Sequence, residues 1–353
     1  MNLDHLEEYT RLDPSGMGDW IDNLAEQCEE GRKLAEDFAL PAMGEISQVV
    51  ILGMGGSAIG GDLVRILMEG EAKVPFFVNR DYELPAFVGP ETLVIASSYS
   101  GNTEETLTAY QEAKRRGAQL LAIATGGTLA SWAEADGVGL ITIPGGISPR
   151  AAIGYSFVPL LIIACRLGLC ADKSQELAAT IELLKKLRTR YGRGVPQEEN
   201  LAKQLARKVY GRIPLFYGVA GYRSVVASRI KGQINENAKH AAFYNVFPEL
   251  NHNELVGWEN PGLTKQIELF VLRDEKEETD RMRTRIEVTE EIIRPQVAEI
   301  IDLWAEGDSI MERMFSLIHL GDYLSYYLAM LNQVDPMPVK VIDRLKGELS
   351  KVR

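Results

Sequence analysis

Hydroxyl side chains are concentrated in the segment SSYSGNTEET, residues 97–106. Ser98, Ser100 and Thr103 lie there on a turn between a predicted buried strand and a predicted helix. Hydroxyls in such a turn either cap the helix or, together with the unpaired N–H groups of its first turn, bind an anion. Capping accounts for one of these hydroxyls but not for all of them, so the segment indicates a ligand rich in oxygen atoms.

A second candidate turn, GMGGSA at residues 53–58, also follows a predicted strand and opens a predicted helix. Its glycines match a variant of the dinucleotide-binding fingerprint, but they fit equally well a tight turn capped by Ser57. The hydroxyl-rich turn favours a phosphomonoester as the ligand instead, because a dinucleotide-binding fold does not need a second turn rich in Ser and Thr. The predicted phosphate ligands are the backbone N–H of Gly56 and the hydroxyls of Ser57, Ser98, Ser100 and Thr103.

The overall composition limits the class of protein. With 46% hydrophobic and 25% charged residues, the chain of 353 residues is typical of a globular protein with two domains. Its net charge of −12 disfavours nucleic acid as a partner, because a phosphate backbone is bound by a basic surface. A single phosphate needs no such surface, since neutral N–H and hydroxyl donors can bind it.

Signals for membranes, export and metals are weak. No apolar run approaches the roughly 20 residues of a membrane helix, and the acidic N-terminus does not resemble a secretory signal. The three cysteines form no even set, so we predict a cytoplasmic location in which the thiols are reduced and only fill space. Four histidines without an HExxH or paired-cysteine pattern predict no metal site.

An alternation of strands and helices positions the two turns. Continuous apolar runs separated by amphipathic helices are typical of a parallel sheet covered on both faces. The predicted fold class is α/β, with two doubly wound, flavodoxin-like domains in which ligands bind beyond the carboxyl ends of the strands. The predicted strands of the first domain are Gln48–Leu52, Pro75–Val78, Thr92–Ala96, Gln119–Ala124 and Gly139–Ile143.

The same pattern restarts after a predicted helical stretch at 157–190 and a linker at 191–196. We predict a helical N-terminal extension (1–46), a first domain (47–192) and a second domain with C-terminal helices (193–353). The second domain is predicted to contain strands at 213–221, 242–246 and 266–272 and helices at 275–305, 309–332 and 339–349. The extension carries nine more acidic than basic residues, which is the wrong charge for a DNA-binding module.

The two turns, GMGGSAIGGD and SSYSGNTEET, together resemble the sugar isomerase (SIS) domain of phosphosugar isomerases and phosphosugar-sensing regulators. Further stretches resemble one family of this group, the bifunctional phosphoglucose/phosphomannose isomerases of archaea and some bacteria. These stretches are PRAA at 149–152, KGQINENAK at 231–239, LNHNELVGW at 250–258, DPMP at 335–338 and Leu345-Lys346. The resemblance covers the chain from about Gln48 to its end.

The resemblance implies an aldose–ketose isomerase that interconverts glucose 6-phosphate, and also mannose 6-phosphate, with fructose 6-phosphate through an enediolate, without metal or cofactor. It implies Glu236 as the base, His252 and Lys346 in opening the sugar ring, and Arg150 beside the enediolate. Family members often have a hydroxyl residue near the DPxP segment, where this chain has Met337, so glucose 6-phosphate is the more strongly implied substrate.

The residues themselves leave alternatives at three of these positions. Helical periodicity alone makes Glu236 and Lys346 surface residues, and His252 in its asparagine-rich segment could equally be a turn residue. His240 competes for the histidine role. Lys340 and Lys351 compete for the lysine role, and only the motif context selects Lys346.

The resemblance also implies a homodimer in which His252 is contributed from the neighbouring subunit. The segment around His252, with Trp258 and the preceding Phe243-Tyr244 and Val246-Phe247, is too apolar for a free loop and suits an interface. Two rival functions remain at this point, a phosphosugar sensor without catalysis and an NAD(P)-dependent oxidoreductase.

Overall fold

The computed structural model of the chain describes residues 2–260, 262, 264–349 and 351. Its internal contacts form two compact units, each built on one parallel sheet. The sheet A unit comprises residues 22–186 and 306–316, and the sheet B unit comprises residues 1–21, 187–305 and 317–353. The predicted fold class is confirmed. Residues 1–46, predicted as one helical extension, are divided between the two units after Ile21.

Sheet A has five parallel strands in the order β2-β1-β3-β4-β5. These strands are β1 (Gln48–Leu52), β2 (Phe76–Asn79), β3 (Thr92–Ser97), β4 (Gln119–Ala124) and β5 (Gly139–Thr142). Every residue of β3 is buried, as expected for a central strand covered on both faces. The strand order reverses between β1 and β3, so the turns that follow these two strands lie side by side at the carboxyl edge.

Sheet B has four parallel strands in the order β7-β6-β8-β9. These strands are β6 (Ile213–Val219), β7 (Phe243–Phe247), β8 (Ile267–Arg273) and β9 (Glu299–Trp304). Its order reverses between β6 and β8, so the second unit repeats the design of the first with one strand fewer.

The helices follow the strands in the alternation that the sequence predicts. In chain order they are α1 (Leu6–Leu12), α2 (Met17–Asp22), α3 (Leu24–Asp37), α4 (Gly55–Met68), α5 (Glu104–Arg115), α6 (Gly127–Asp136), α7 (Ile153–Arg166), α8 (Ser174–Tyr191), α9 (Leu201–Val209), α10 (Tyr222–Ala238), α11 (Glu254–Gly257), α12 (Asp280–Ile293), α13 (Ile310–Leu331) and α14 (Lys340–Leu349). Helix α7 is buried from Ile153 to Ala164 and packs against α3 and α4.

Two predicted helices are wrong in extent. The predicted helix at 275–305 is shorter, because α12 ends at Ile293 and the segment after Pro295 forms strand β9. Arg294 is still helical (φ −48°, ψ −42°), but Pro295 has no N–H with which to continue the hydrogen bonds of α12, and the apolar residues that follow complete the sheet. The predicted helix at 157–190 is interrupted after Arg166 by a turn in which Gly168 has a left-handed backbone (φ 69°).

Within the described part of the chain, no helix is both long enough and apolar enough to cross a membrane.

Candidate active site

The two hydroxyl-bearing turns meet at the carboxyl edge of sheet A. The backbone N–H of Tyr99 donates to Ser57 Oγ over 3.3 Å, which joins the turn after β3 to the first turn of α4. Ser98 Oγ and Thr103 Oγ1 are 2.9 Å apart, and Ser57 and Ser98 are buried. Ser57 Oγ accepts this bond, so its proton remains available, and the Ser98–Thr103 pair likewise has one proton left after its internal bond. The turns can therefore donate hydrogen bonds to an anion.

Ser100 lies at the exposed tip of the same turn. Its Oγ accepts from the backbone N–H of Asn102 at 3.2 Å. Gly101 beside it has φ 67°, and a Cβ there would stand 1.9 Å from the carbonyl oxygen of Gly126. Only glycine fits, because both the backbone conformation and the space exclude a side chain. Of the predicted phosphate ligands, Ser57, Ser98, Ser100 and Thr103 are thus brought onto adjoining turns.

Gly56 and Arg150 lie on the same side of the sheet A unit. A Cβ at Gly56 would be 2.7 Å from the carbonyl oxygen of Pro149, so the 3-10 turn Pro149–Ala151 packs directly on the start of α4. Arg150 in this turn is buried, with 7% of its surface exposed. A buried arginine in a turn that packs on the start of α4 departs from the solvated arginine that is usual in loops.

Tyr99 braces the segment that leads to Arg150, a role that the sequence did not reveal. Its hydroxyl donates to the carbonyl of Pro144 over 2.9 Å and accepts from the N–H of Ile147 at 3.3 Å. Burial raises the pKa of the Tyr99 phenol, so it stays neutral and keeps the proton that it donates.

Glu236 lies near the C-terminal end of α10 in the sheet B unit. It is half-buried and lines a pocket of about 730 Å³ together with residues of the DPMP segment and the start of α14. Lys239, which has a left-handed backbone (φ 51°), donates from Nζ to the carbonyl oxygens of Glu236 (2.7 Å) and Pro336 (2.9 Å). Glu236 therefore occupies a formed pocket, whereas helical periodicity alone places it on a solvated face.

His240, the competing histidine, is engaged by structural hydrogen bonds at both ring nitrogens. Its Nε2 lies 2.6 Å from the carbonyl oxygen of Arg212, and its Nδ1 lies 3.3 Å from Nδ2 of Asn332. A carbonyl only accepts and an amide nitrogen only donates, so Nε2 donates and Nδ1 accepts in this pairing. His240 thus fixes the end of α10 and is not free to exchange a proton with a ligand.

His252 is exposed and lies in a short 3-10 turn, Glu249–His252, that follows β7. The preceding Asn251 is held by α12, because its Nδ2 donates to Thr289 Oγ1 (2.9 Å) and its Oδ1 accepts from Arg285 Nη1 (3.1 Å). These bonds fix the position of the backbone that carries His252.

A second clamp follows His252. Glu254 accepts from the hydroxyl of Tyr217 and from Nδ2 of Asn245, and Trp258 Nε1 donates to the Tyr217 oxygen over 3.2 Å. Burial and the Glu254 carboxylate raise the pKa of Tyr217, which keeps this phenol a donor. His252 is therefore presented to solvent from a rigid loop.

Glu236 and His252 lie at opposite edges of sheet B. Helix α10 leaves the carboxyl end of β6 and returns to the start of β7, so Glu236 lies at the amino edge, near Arg212. His252 follows β7 and lies at the carboxyl edge. The five residues of β7 rise by about 3.3 Å each, so the two edges of the sheet lie roughly 16 Å apart along this strand.

The apolar segment around His252 differs from its sequence-based interpretation as an interface. Phe247 (0% exposed) and Trp258 (5%) belong to the core of the sheet B unit. Phe243 and Tyr244, on the edge strand β7, are 56% and 43% exposed. Only these last two, of the aromatic residues named for the interface, are available to a partner.

Lys346 is exposed on α14 and does not line the Glu236 pocket, whereas Lys340 at the start of the same helix does. Lys351 forms an ion pair with Glu348 (2.8 Å). The single chain thus brings Lys340, and not Lys346, beside Glu236.

The position in sheet B that corresponds to the phosphate turns of sheet A is filled by the chain's own carboxylates. Glu278, whose side chain is fully buried, accepts from Arg223 in the first turn of α10 (2.8 Å) and from Arg273 at the end of β8 (2.9 Å). Burial opposes its ionisation, but these hydrogen bonds prevail and lower its pKa. Tyr222 donates to Asp274 in the same cluster over 2.6 Å. The start of α10 is therefore bound to the sheet.

Buried polar contacts also fix α10 along its length. Asp322 of α13 accepts two hydrogen bonds from Nη2 of Arg229 (2.9 and 2.8 Å) and one from Gln233 (2.6 Å). Asn237, next to Glu236, donates to Ser325 Oγ over 2.9 Å. The sequence signal for this network is an aspartate inside the apolar helix α13, since a buried carboxylate requires a partner.

Among the described residues, no group of three or more His, Cys, Asp or Glu side chains has a geometry that could hold a metal ion.

Two family models match the chain. Residues 44–164 match the SIS domain, and residues 198–349 match the bacterial phospho-glucose isomerase C-terminal SIS domain. The matched ranges include every residue predicted to bind or transform the substrate, with the phosphate turns and Arg150 in the first range and Glu236, His252 and Lys346 in the second.

Relatives of known name extend over nearly the whole chain. A bifunctional phosphoglucose/phosphomannose isomerase of Caldicellulosiruptor bescii is 48% identical over 94% of this chain and 98% of its own length. A protein of the same name from Thermoplasma acidophilum is 41% identical over 87% of this chain and 91% of its own. A crystal structure of a hypothetical protein from Thermus thermophilus has a TM-score of 0.73 at 20% identity and covers 95% of this chain and 90% of the other, which shows a shared fold.

Proposed function

The chain belongs to the bifunctional phosphoglucose/phosphomannose isomerase family, and we propose that it interconverts glucose 6-phosphate and mannose 6-phosphate with fructose 6-phosphate. The observation that carries this proposal is 48% identity across 94% of the chain to an isomerase of that name. A sensor without catalysis is not favoured. The cytoplasm is the proposed location, as the cysteine content predicts.

The phosphate of the sugar is bound by the two turns at the carboxyl edge of sheet A. The 3.3 Å bond from Tyr99 N to Ser57 Oγ and the 2.9 Å contact between Ser98 and Thr103 support this role. Each arrangement leaves one hydroxyl proton that it does not itself use, and that proton can be donated to the phosphate. Ser100 and the N–H of Gly56 complete the donor set. Helix starts with free N–H groups favour an anion, so no lysine is needed.

Isomerisation moves one proton between C1 and C2 of the open sugar. Glu236 takes the proton from C2 of the aldose and returns it to C1, and the negative charge that develops on the two oxygens is stabilised by Arg150. The pocket around Glu236 supports the assignment, since a general base must be accessible and yet shielded from bulk water. The isomerisation only moves protons within the sugar, and the protein neither gains nor loses electrons. Acid, base and cationic side chains are therefore sufficient for the reaction.

Ring opening moves a proton from the anomeric hydroxyl to the ring oxygen. We assign His252 to this step, and the rigid exposed loop that carries it supports the assignment. The separation of roughly 16 Å along β7 argues that a chain cannot bring its own His252 to its own Glu236. A homodimer in which each subunit lends His252 to the other satisfies this geometry, because a two-fold axis makes the exchange reciprocal.

Lys346 is the second proposed ring-opening group. In the single chain it stands on an exposed helix whose apolar residues Val341 and Leu345 are 81% and 59% exposed. An amphipathic helix with an uncovered apolar face supports packing against the second subunit. Lys340 is the alternative within one chain. If Lys346 is the ring-opening group, Lys346→Ala should reduce turnover more than Lys340→Ala does.

The test is an assay that detects fructose 6-phosphate after purified protein is mixed with glucose 6-phosphate or with mannose 6-phosphate. The proposal expects product from both aldoses, with the Glu236→Gln variant as the inactive control. Thermal stabilisation of the protein by these sugar phosphates without any product would refute the isomerase function and favour a phosphosugar sensor. Product from glucose 6-phosphate alone would remove the mannose activity and would point to Met337, where the family resemblance implies a hydroxyl residue.

A further inference from the structure

Helix α7 ends in a turn that brings two cysteines together. Gly168, with φ 69°, lets the chain reverse, and the N–H groups of Gly168 and Leu169 bond back to the carbonyls of Cys165 (2.9 Å) and Ala164 (3.0 Å). This left-handed cap is the usual way in which a glycine ends a helix. It places Cys170 against Cys165, with the two sulfur atoms 3.4 Å apart.

The segment after Cys170 is held in place by charge. Lys173 Nζ forms ion pairs with Glu71 (3.1 Å), which follows α4, and with Glu176 (3.0 Å), in the first turn of α8. Cys165 and Cys170 are both partly exposed, so a small oxidant can reach them, whereas Cys28 is completely buried. The two half-exposed thiols are thus positioned as a pair, and the third cysteine serves as an internal reference.

We propose that Cys165 and Cys170 are a reversible modification site, at which the two thiols form a disulfide when the surrounding thiol pool becomes oxidised. A disulfide has a sulfur–sulfur distance of about 2.05 Å, so the two atoms must approach by about 1.4 Å, a movement within reach of side-chain rotation. The site is independent of the isomerase activity and replaces the sequence-based expectation that all three thiols only fill space.

The chemistry balances with an organic disulfide such as oxidised glutathione as the oxidant. The Cys165 thiolate attacks one glutathione sulfur and releases the first glutathione, and the Cys170 thiolate then attacks Cys165 and releases the second. The two cysteines lose two protons and two electrons, and the oxidant becomes two molecules of reduced glutathione.

The surroundings favour Cys165 as the attacking group. Its pKa is lowered, chiefly by the hydrogen bond from the Cys170 thiol and in part by the backbone N–H of Lys173, while the same interaction raises the pKa of Cys170. Burial raises the pKa of Cys28 to about 12, so that this thiol stays protonated and inert.

Peptide mapping tests the site directly, because trypsin cuts after Arg166, between the two cysteines. After incubation of the full-length protein with oxidised glutathione and alkylation of remaining thiols, peptides 151–166 and 167–173 should be joined and should separate on reduction. The fraction joined should increase with the ratio of oxidised to reduced glutathione. A Cys28→Ser variant should form the bridge unchanged, whereas Cys170→Ser should show none.

Two results would overturn the proposal. One is the recovery of both peptides with alkylated cysteines at every glutathione ratio, and the other is separate glutathione adducts on Cys165 and Cys170 without a bridge. A second measurement concerns the fit of the bridge to the native fold. Closing this short loop should raise the Tm of the oxidised protein by about 2–3 °C relative to the reduced protein, and a fall in Tm would contradict a native-like bridge.

Discussion

Glu236 lies two residues before the end of α10 at the amino edge of sheet B, and His252 lies five residues after β7 at the carboxyl edge of the same sheet. The relationship follows from connectivity alone. A helix that joins two parallel neighbouring strands must run back along the sheet, so a residue near its end and a residue just after the next strand lie one strand length apart. That length is roughly 16 Å for the five residues of β7. Two groups that act on one hexose must come closer than this.

The contacts around the two residues make the separation rigid. His240 ties the end of α10 to Arg212, and Asn251 ties the His252 loop to α12. A local rearrangement that joins Glu236 and His252 within one chain would have to break these bonds. A second subunit removes the conflict without any rearrangement.

The phosphate turns should control affinity for the sugar phosphate. Replacing Ser98 and Ser100 together by alanine removes two donors to a charged group, each with a net contribution of about 1.5–3 kcal/mol, and should raise KM at least about a hundredfold with kcat little changed. Steady-state kinetics with glucose 6-phosphate measures both constants. Ser131→Ala, an exposed serine on α6, is the matched control. A fall in kcat at constant KM would refute the phosphate assignment.

Glu236→Gln should lower kcat by roughly 10² to 10⁴ while substrate binding is retained, because the amide keeps the shape of the side chain but cannot accept the proton. Incorporation of deuterium from heavy water at C2 of the aldose should disappear in parallel. Glu287→Gln, at an exposed position of α12, is the control for a change of charge. A Gln variant that still exchanges the C2 proton would make Glu236 a pocket-lining residue only.

His240 and His252 should separate stability from catalysis. His240→Asn loses the bond to Arg212 and should lower the free energy of unfolding by about 0.5–1.5 kcal/mol, yet leave kcat within a few-fold of wild type. His252→Ala should leave the unfolding midpoint unchanged, because the side chain is exposed, and should reduce kcat. Urea denaturation and kinetics on the same preparations make the comparison. The reverse pattern would assign the catalytic role to His240.

The sequence predicted the meeting of the two hydroxyl turns because it depends only on topology. Once β1 and β3 are adjacent parallel strands, the residues that follow them must lie side by side, whatever the packing details. The bracing by Tyr99 and the clamp formed by Glu254 depend on three-dimensional contacts between distant segments. Composition and spacing carry no signal for such contacts.

Strand β9 and the aromatic residues of the His252 segment show two further limits of sequence reasoning. The long polar helix α12 masked the short strand that follows it, although Pro295 marks the boundary. Trp258 was predicted at an interface because its segment is apolar, but it completes the core of its own unit. Apolar character predicts burial and does not distinguish a chain's own core from a partner.

The buried acid Glu268 should make stability depend on pH. Its side chain is 1% exposed, and burial raises its pKa to about 7, with Glu299 on the neighbouring strand adding to the effect despite Arg212 at 3.4 Å. A carboxyl whose pKa is higher in the folded state stabilises the fold while protonated, so this contribution is lost as the pH rises from 4.5 through about 7.

Glu268→Gln should therefore unfold at a higher urea concentration than wild type at pH 8, and the difference should shrink towards pH 5. The neutral amide mimics the protonated acid at every pH. Burial also raises the pKa of Glu290 to about 7, so part of the dependence of stability on pH should remain in the variant. Parallel curves for variant and wild type across this range would show that Glu268 does not titrate there.

The shared site is tested by mixing two inactive variants, Glu236→Gln and His252→Ala, after dissociation and reassociation, with each variant reassociated alone as the control. In a mixed dimer one site receives both defects, and the other receives an intact Glu236 and an intact His252. Random reassortment makes half of the dimers mixed, so the account predicts recovery of about a quarter of the wild-type activity. If His252 acts within its own chain, every site keeps one defect, and a mixture no more active than the separate variants would contradict the exchange of His252 between subunits.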